Sequence, residues 1–263
     1  MKKDIHNKLI KYGQHKIADW VVIEVLGEKQ KINEFLQGQL TSDINAINES
    51  GFQLSSICDH KGFVICDFII HRDEDIYKVI INNELKEIFI AELSQFAQFY
   101  SVKFHLNQQN VIGHVKNTSQ SSKSYWCNNE YCLGLEIYDK DFNADNLIDE
   151  NEWLLANKIA KILFLDIQDS KKYRPLEIYY DKLRVSFDKG CYRGQEIVAR
   201  MKYLGVDRRK FSTLITKDTF NVDEGIKVVG NILNVKDYKI FNAIIKKNEI
   251  DLVSNLDSVI KII

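Results

Sequence analysis

The stretch from Asp188 to Gly205 constrains this chain more than any other. Gly190 and Gly194 bracket the triplet Cys191-Tyr192-Arg193, and Ile197, Met201 and Leu204 then recur at i, i+4 and i+7. This spacing predicts a tight loop opening directly onto a short amphipathic helix, with Gly205 as its C′ stop. A helix start presents unpaired N–H groups and the positive end of the dipole, so the surface from Gly190 to Gln195 favours anions. Cys191 stands just before it, between Lys189 and Arg193, a setting that lowers a thiol pKa and makes Cys191 a candidate nucleophile, redox centre or metal ligand. The same residue reads equally well as a small buried side chain in a glycine turn. Glu196 suits the first helical turn and reaches Arg200 at i, i+4.

The wording Lys-Gly-Cys-Tyr-x-Gly-Gln-Glu, followed by Val-Ala-Arg and Lys-Tyr-x-Gly, closely resembles the signature of the YgfZ-type folate-binding proteins. These are relatives of the aminomethyltransferase (T-protein) of glycine cleavage. Two further stretches are similar to the same family: Phe35-Leu36-Gln37-Gly38-Gln39-Leu40-Thr41 with Asp43, and Cys58-Asp59-His60-Lys61-Gly62. The resemblance implies a tetrahydrofolate-binding protein that supports iron–sulfur cluster assembly or repair in client enzymes, including those that methylthiolate tRNA. It implies that Cys191 is the reactive thiol and that Trp20 and Trp153 frame the folate. Asp67 and Glu196 complete the implied folate site; Lys189, Gly190, Tyr192, Arg193, Gly194, Gln195 and Arg200 shape the motif, and Arg208 adds positive potential. Where the aminomethyltransferases carry an acidic pair beside folate, this chain has Cys66-Asp67, and Leu176 follows Pro175 where the family has an amide. A folate-dependent aminomethyl transferase and a tRNA- or protein-docking module stand as the alternatives.

The remaining periodicities predict an α+β chain. Strands are expected at 20–26, 52–58, 63–71, 76–81, 102–106, 111–115 and twice within 126–137, with helices at 31–36, 84–99 and 151–163. Gln37-Gly38-Gln39 is expected to break the first helix, and 116–124 to form a polar loop. After Gly205 the pattern is all-β, with runs at 211–216, 226–229, 232–235, 240–245 and 259–263. The implied architecture is the multi-lobed T-protein fold: a folate-binding region of two interleaved lobes over 1–205 and a small C-terminal β-barrel over 206–263.

Composition sets the outer limits. The chain of 263 residues is 45% hydrophobic and 28% charged, sufficient for a full core. Its basic start lacks an apolar leader, and no apolar run approaches a membrane span, so a cytoplasmic protein is expected. Five scattered cysteines fit a reducing compartment better than a disulfide framework, and Cys127 and Cys132 read as structural residues of a hairpin. No metal set is expected. A net charge of −1 conceals a local surplus: residues 171–210 hold twelve Lys and Arg against five acids, a surface suited to phosphates, a polyglutamylated cofactor or RNA. No nucleotide-binding glycine loop and no His-Glu-x-x-His zinc motif is present.

Overall fold

The structure, a computed structural model, describes residues 8–118, 124–139, 146–205, 208–222 and 225–263. Met1–Lys3 and most of the loop expected at 116–124 lie outside these. Two strands open the described chain: β1 (Gly13–Ile17), absent from the sequence expectation, and β2 (Trp20–Leu26). The pleat of β2 sends alternate side chains to different cores. Ile23 and Val25 join Phe35, Leu36, Phe89 and Leu93, whereas Val22 joins Ile69, Ile80, Leu133 and Trp153.

With β3 (Phe52–Cys58), β4 (Val64–Asp73), β5 (Ile76–Asn82) and β6 (Lys103–Asn107), β2 builds a five-stranded antiparallel sheet in the order β3-β4-β5-β2-β6. Helices α1 (Lys29–Gln39) and α2 (Lys86–Ala97) contribute their apolar stripes to one of its faces. The other packs against a second sheet, in which β1 is joined by β7 (Asn110–Asn117), β8 (Ser124–Cys127) and β9 (Tyr131–Tyr138) in the order β1-β7-β9-β8. Helix α3 (Glu150–Ile159) begins with a capping box between Asp149 and Glu152 and buries Trp153 and Ala156 in that same core. After α4 (Tyr180–Leu183) and α5 (Gln195–Leu204) come β10 (Arg209–Lys217), β11 (Ile226–Val235), β12 (Tyr238–Lys246) and β13 (Val259–Ile262). The C-terminal β unit is thus a four-stranded antiparallel sheet in the order β11-β12-β10-β13, with a short helix α6 (Ile250–Ser254) before its last strand.

Four local readings are corrected. Helix α1 runs through Gly38, where a Cβ would meet nothing within 4 Å, so this glycine lowers helix propensity without turning the chain. Helix α3 stops at Ile159 rather than 163 because Lys161 turns to φ 58° and the Ile162 N–H returns to the Asn157 carbonyl at 2.9 Å. The runs at 226–229 and 232–235 are one strand, bent at Gly230 (φ 69°) with a register shift between Val229 and Leu233. Cys127 and Cys132 face each other across the β8–β9 hairpin and are joined as a disulfide. Among the described residues, no helix is long and apolar enough to cross a membrane.

Candidate functional site

The three stretches that carry the resemblance meet around Cys191. Lys189 reaches away from the thiol: its Nζ donates to the carbonyls of Leu40 (2.7 Å) and Ser42 (2.9 Å), just past α1. Burial there lowers its pKa to about 8. Arg193 reaches the other way, its Nε donating to the Cys58 carbonyl (2.7 Å) and its Nη1 pairing with Glu92 at 3.2 Å. Tyr192 between them is buried, and its N–H donates to Gln195 Oε1 at 3.2 Å. Both flanking cations are therefore clamps that fasten the loop to the β3–β4 turn and the end of α1. The clamped loop leaves Cys191 exposed, against the reading of a buried turn residue.

The two glycines of the motif differ. Gly194 sits at φ 85°, and a Cβ there would run into the Asp59 carbonyl, so the approach of the β3–β4 turn requires glycine. Gly62 in that turn has φ 75° and comes so close to Ile197 that a Cβ would lie 3.1 Å from it. Gly190 opens onto free space and has no such constraint. Along α5 the apolar face is narrower than the i, i+4, i+7 spacing predicts: Val198 is the buried residue, and Leu204 is 78% exposed. Gly205 caps this helix with extended backbone at φ −75°, not as a left-handed C′ residue; a Cβ there would strike the Met201 carbonyl. Glu196 and Arg200 both lie exposed on α5, and among the described residues the expected ion pair between them is not formed. An exposed pair of this kind gains too little to hold two long side chains together.

Trp20 and Trp153 come together in a cavity of about 150 Å³, away from Cys191. Trp20, at the start of β2, is half-buried and meets Phe164 edge to face with 4.6 Å between ring centroids. Trp153 is 2% exposed; its ring lies across β7 where Gly113 has no side chain, and a Cβ there would be 2.8 Å from the indole. The pair therefore forms one wall and part of the floor rather than two open faces. Lys158 of α3 and Asn242 of β12 line the same cavity. Thr213 Oγ1 and Asn242 Nδ2 both donate to the Lys158 carbonyl, at 2.5 and 3.3 Å, which fixes this end of α3 to β10 and β12.

Lys158 is 5% exposed, and among the described residues its ammonium makes no hydrogen bond or ion pair; burial, partly opposed by Asp166, pulls its pKa down to about 8. Asn242 Oδ1 is likewise buried without a partner. Two unpaired polar groups in a cavity of mixed aromatic and polar lining fit a flat heterocycle that carries both donors and acceptors. Sequence reasoning missed Lys158, Asn242 and Phe164: no motif marks them, although Lys158 follows the Trp153-Leu154-x-x-Asn157 pattern directly.

Asp67 and Glu196 do not line this cavity; its carboxylates are Asp19, Glu150 and Asp166. Asp67 is buried behind the wall, where it ion-pairs with Arg184 at 2.9 Å and accepts the Leu165 N–H at 2.9 Å. Arg184 is also fully enclosed and donates to the carbonyls of Ser55, Phe68 and Leu163 at 2.9–3.0 Å. Burial raises the Asp67 pKa even against the guanidinium. The pair thus positions segment 163–165, and with it Phe164. The other free thiols are sealed in the core, where burial pushes Cys58 up to about 12 and Cys66 well above its ordinary value.

No protein-family model matches the chain. Over 252 residues it is 27% identical to the tRNA-modifying protein YgfZ of Buchnera aphidicola, covering 84% of this chain and 77% of that protein. It is 24% identical over 231 residues to the tRNA-modifying protein YgfZ of Klebsiella pneumoniae, covering 75% of this chain and 70% of that one. Among solved structures, the glycine cleavage system aminomethyltransferase T from Bartonella henselae superposes with a TM-score of 0.61 over 92% of this chain and 80% of its own, at 13% identity. The chain is therefore similar in sequence to the YgfZ tRNA-modifying proteins over most of its length, and it shares the fold of an aminomethyltransferase T.

Proposed function

We propose that the cavity between Trp20 and Trp153 binds a tetrahydrofolate-class cofactor and that Cys191 acts with it in tRNA modification, by supporting iron–sulfur cluster assembly or repair in client enzymes. One observation carries the reading: two aromatic side chains from distant segments converge with an unpaired ammonium and an unpaired amide oxygen in a single cavity. At about 150 Å³ the cavity is smaller than the 300 Å³ or more of typical ligand pockets, so it takes the ring end of a folate and leaves the glutamyl tail outside. Trp20 and Phe164 would flank the ring, and Lys158 and Asn242 would meet its polar edge. When bound, the cofactor supplies a one-carbon carrier. Cys191 supplies a single accessible thiol, suited to a nucleophile or to one ligand passed to a client cluster. The division between a folate-binding region over 1–205 and a C-terminal unit over 206–263 belongs to the same proposal, with the cavity where the two meet: Gly230, Asn231 and Asn242 line it from the second part.

Anaerobic calorimetric titration of tetrahydrofolate into the wild type and Trp20→Ala tests the folate half. Saturable one-to-one binding, weakened at least about tenfold in the variant, is expected. No heat of binding in the wild type overturns it. Trp20 is the position to change because truncating the enclosed Trp153 costs about 3–5 kcal/mol of stability and confounds the measurement.

A further inference from the structure

A second and larger cleft, of about 640 Å³, lies at the other end of α5 from Cys191 and shares no lining residue with the Trp20–Trp153 cavity. Seven of its side chains are cationic and two acidic, in a chain whose net charge is −1. Asp181 is already engaged by Lys182 at 3.7 Å and Lys202 at 3.3 Å. Glu177 accepts the Arg174 N–H at 2.8 Å. Lys161, Arg208, Arg209 and Lys210 line the cleft and form no ion pair among the described residues.

These cations come from separate segments. Lys161 holds the left-handed position after α3 (φ 58°), a place that favours glycine, and carries its ammonium over the Tyr179 ring at 5.1 Å. Tyr179 itself is at φ 66°. Lys210 approaches from β10, and its charge joins burial in lowering the Lys161 pKa. Beneath this rim the floor is apolar, formed by Leu176, Met201 and Phe211. Beside Lys202, the end of α5 carries Tyr203 at 69% and Leu204 at 78% exposure.

We infer that this cleft binds RNA, its rim cations meeting consecutive phosphates while an unstacked base lies against the apolar floor or on Tyr203. Cations crowded in such excess over acids are a phosphate-binding arrangement, and a flat apolar surface beneath them suits a base better than it suits an acidic peptide. The inference goes beyond the folate reading and stands without it.

The test uses fluorescence anisotropy of labelled bulk transfer RNA with the full chain, titrated at several salt concentrations. Wild type is compared with Arg208→Gln/Arg209→Gln/Lys210→Gln and with a control, Lys171→Gln/Lys172→Gln, whose lysines pair with Glu92 and Asp169 instead. All three cleft positions are exposed, so the fold tolerates the changes. The expected result is at least a tenfold loss of affinity in the cleft variant, a salt slope lower by about 2, and an unchanged control. Tyr203→Ala is expected to weaken binding several-fold at an unchanged salt slope. Tetrahydrofolate binding should be unaltered in the cleft variant, which separates failure here from failure of the folate reading. Equal RNA affinity in wild type and cleft variant overturns the inference, as does a polyglutamate peptide that binds the cleft more tightly than the RNA.

Discussion

Lys158 is the residue whose environment makes the sharpest demands. An ammonium enclosed beside Trp153 loses its proton as pH rises through about 8, whereas in the unfolded chain it holds the proton to about 10.5. Between those values the unfolded state binds more protons, so stability rises with pH across that window and falls as pH drops through 8. Lys158→Met should remove this slope and stabilise the protein at pH 7 by on the order of 2 kcal/mol, read by urea denaturation at pH 7 and 9.5. Under the proposed function the same substitution weakens tetrahydrofolate binding, and wild-type affinity declines above pH 8; an affinity flat from pH 7 to 9.5 would remove Lys158 from the site. The glycines give a second residue-scale test. Gly194→Ala forces a left-handed backbone and a clash with Asp59, and should cost about 2 kcal/mol or more, whereas Gly190→Ala should stay within about 0.5 kcal/mol. Comparing their melting temperatures decides this. Gly190 and Gly194 read alike in sequence because their difference lies in the turn opposite, at Asp59, 135 positions away from Gly194 in the chain, and a local pattern does not report it.

At the scale of elements, the loop before α5 is a piece of backbone held at both sides by charged side chains on carbonyl groups. Brief treatment of the native protein with iodoacetamide should therefore alkylate Cys191 and spare Cys58 and Cys66, which mass spectrometry of the peptides reads directly. Modification of Cys58 at a comparable rate would show that the clamps do not hold. The buried pair behind the cavity wall behaves differently from an exposed one. Asp67→Asn or Arg184→Met alone should cost about 3–5 kcal/mol by stranding a charge, and the double variant less than the sum of the two. Most elements were legible from sequence pattern alone: β2 through β5 and α2 follow their expected spans, because the strands are short apolar runs buried on both faces of their sheet and α2 buries a helical stripe. Missed were β1, whose polar side chains hide a strand completed by β7, and α4 and α6, too short to show a period. Asp67 was assigned to the folate site through the family resemblance, and sequence does not reveal Arg184 across the sheet.

For the whole molecule, the basic surplus counted along residues 171–210 separates in space into different tasks. Arg184 and Lys189 are interior supports, Lys171 and Arg193 answer Glu92, and Lys182, Lys202, Arg208, Arg209 and Lys210 collect at one cleft, joined there by Lys161 and Lys247 from outside the window. Linear charge therefore located the region but not the surface. The Trp20–Trp153 cavity was legible only through the family wording, since its two tryptophans are 133 positions apart and its ammonium and amide belong to no motif. Helix α5 adds one consequence of its own. Ten residues of helix hold the thiol loop and the cationic cleft about 15 Å apart, and the Gly62 and Gly194 contacts at one end leave that spacing no play. The helix is a ruler, and it selects by length: a single free nucleotide is too short to touch both of its ends at once, while a folded polymer laid along it reaches both.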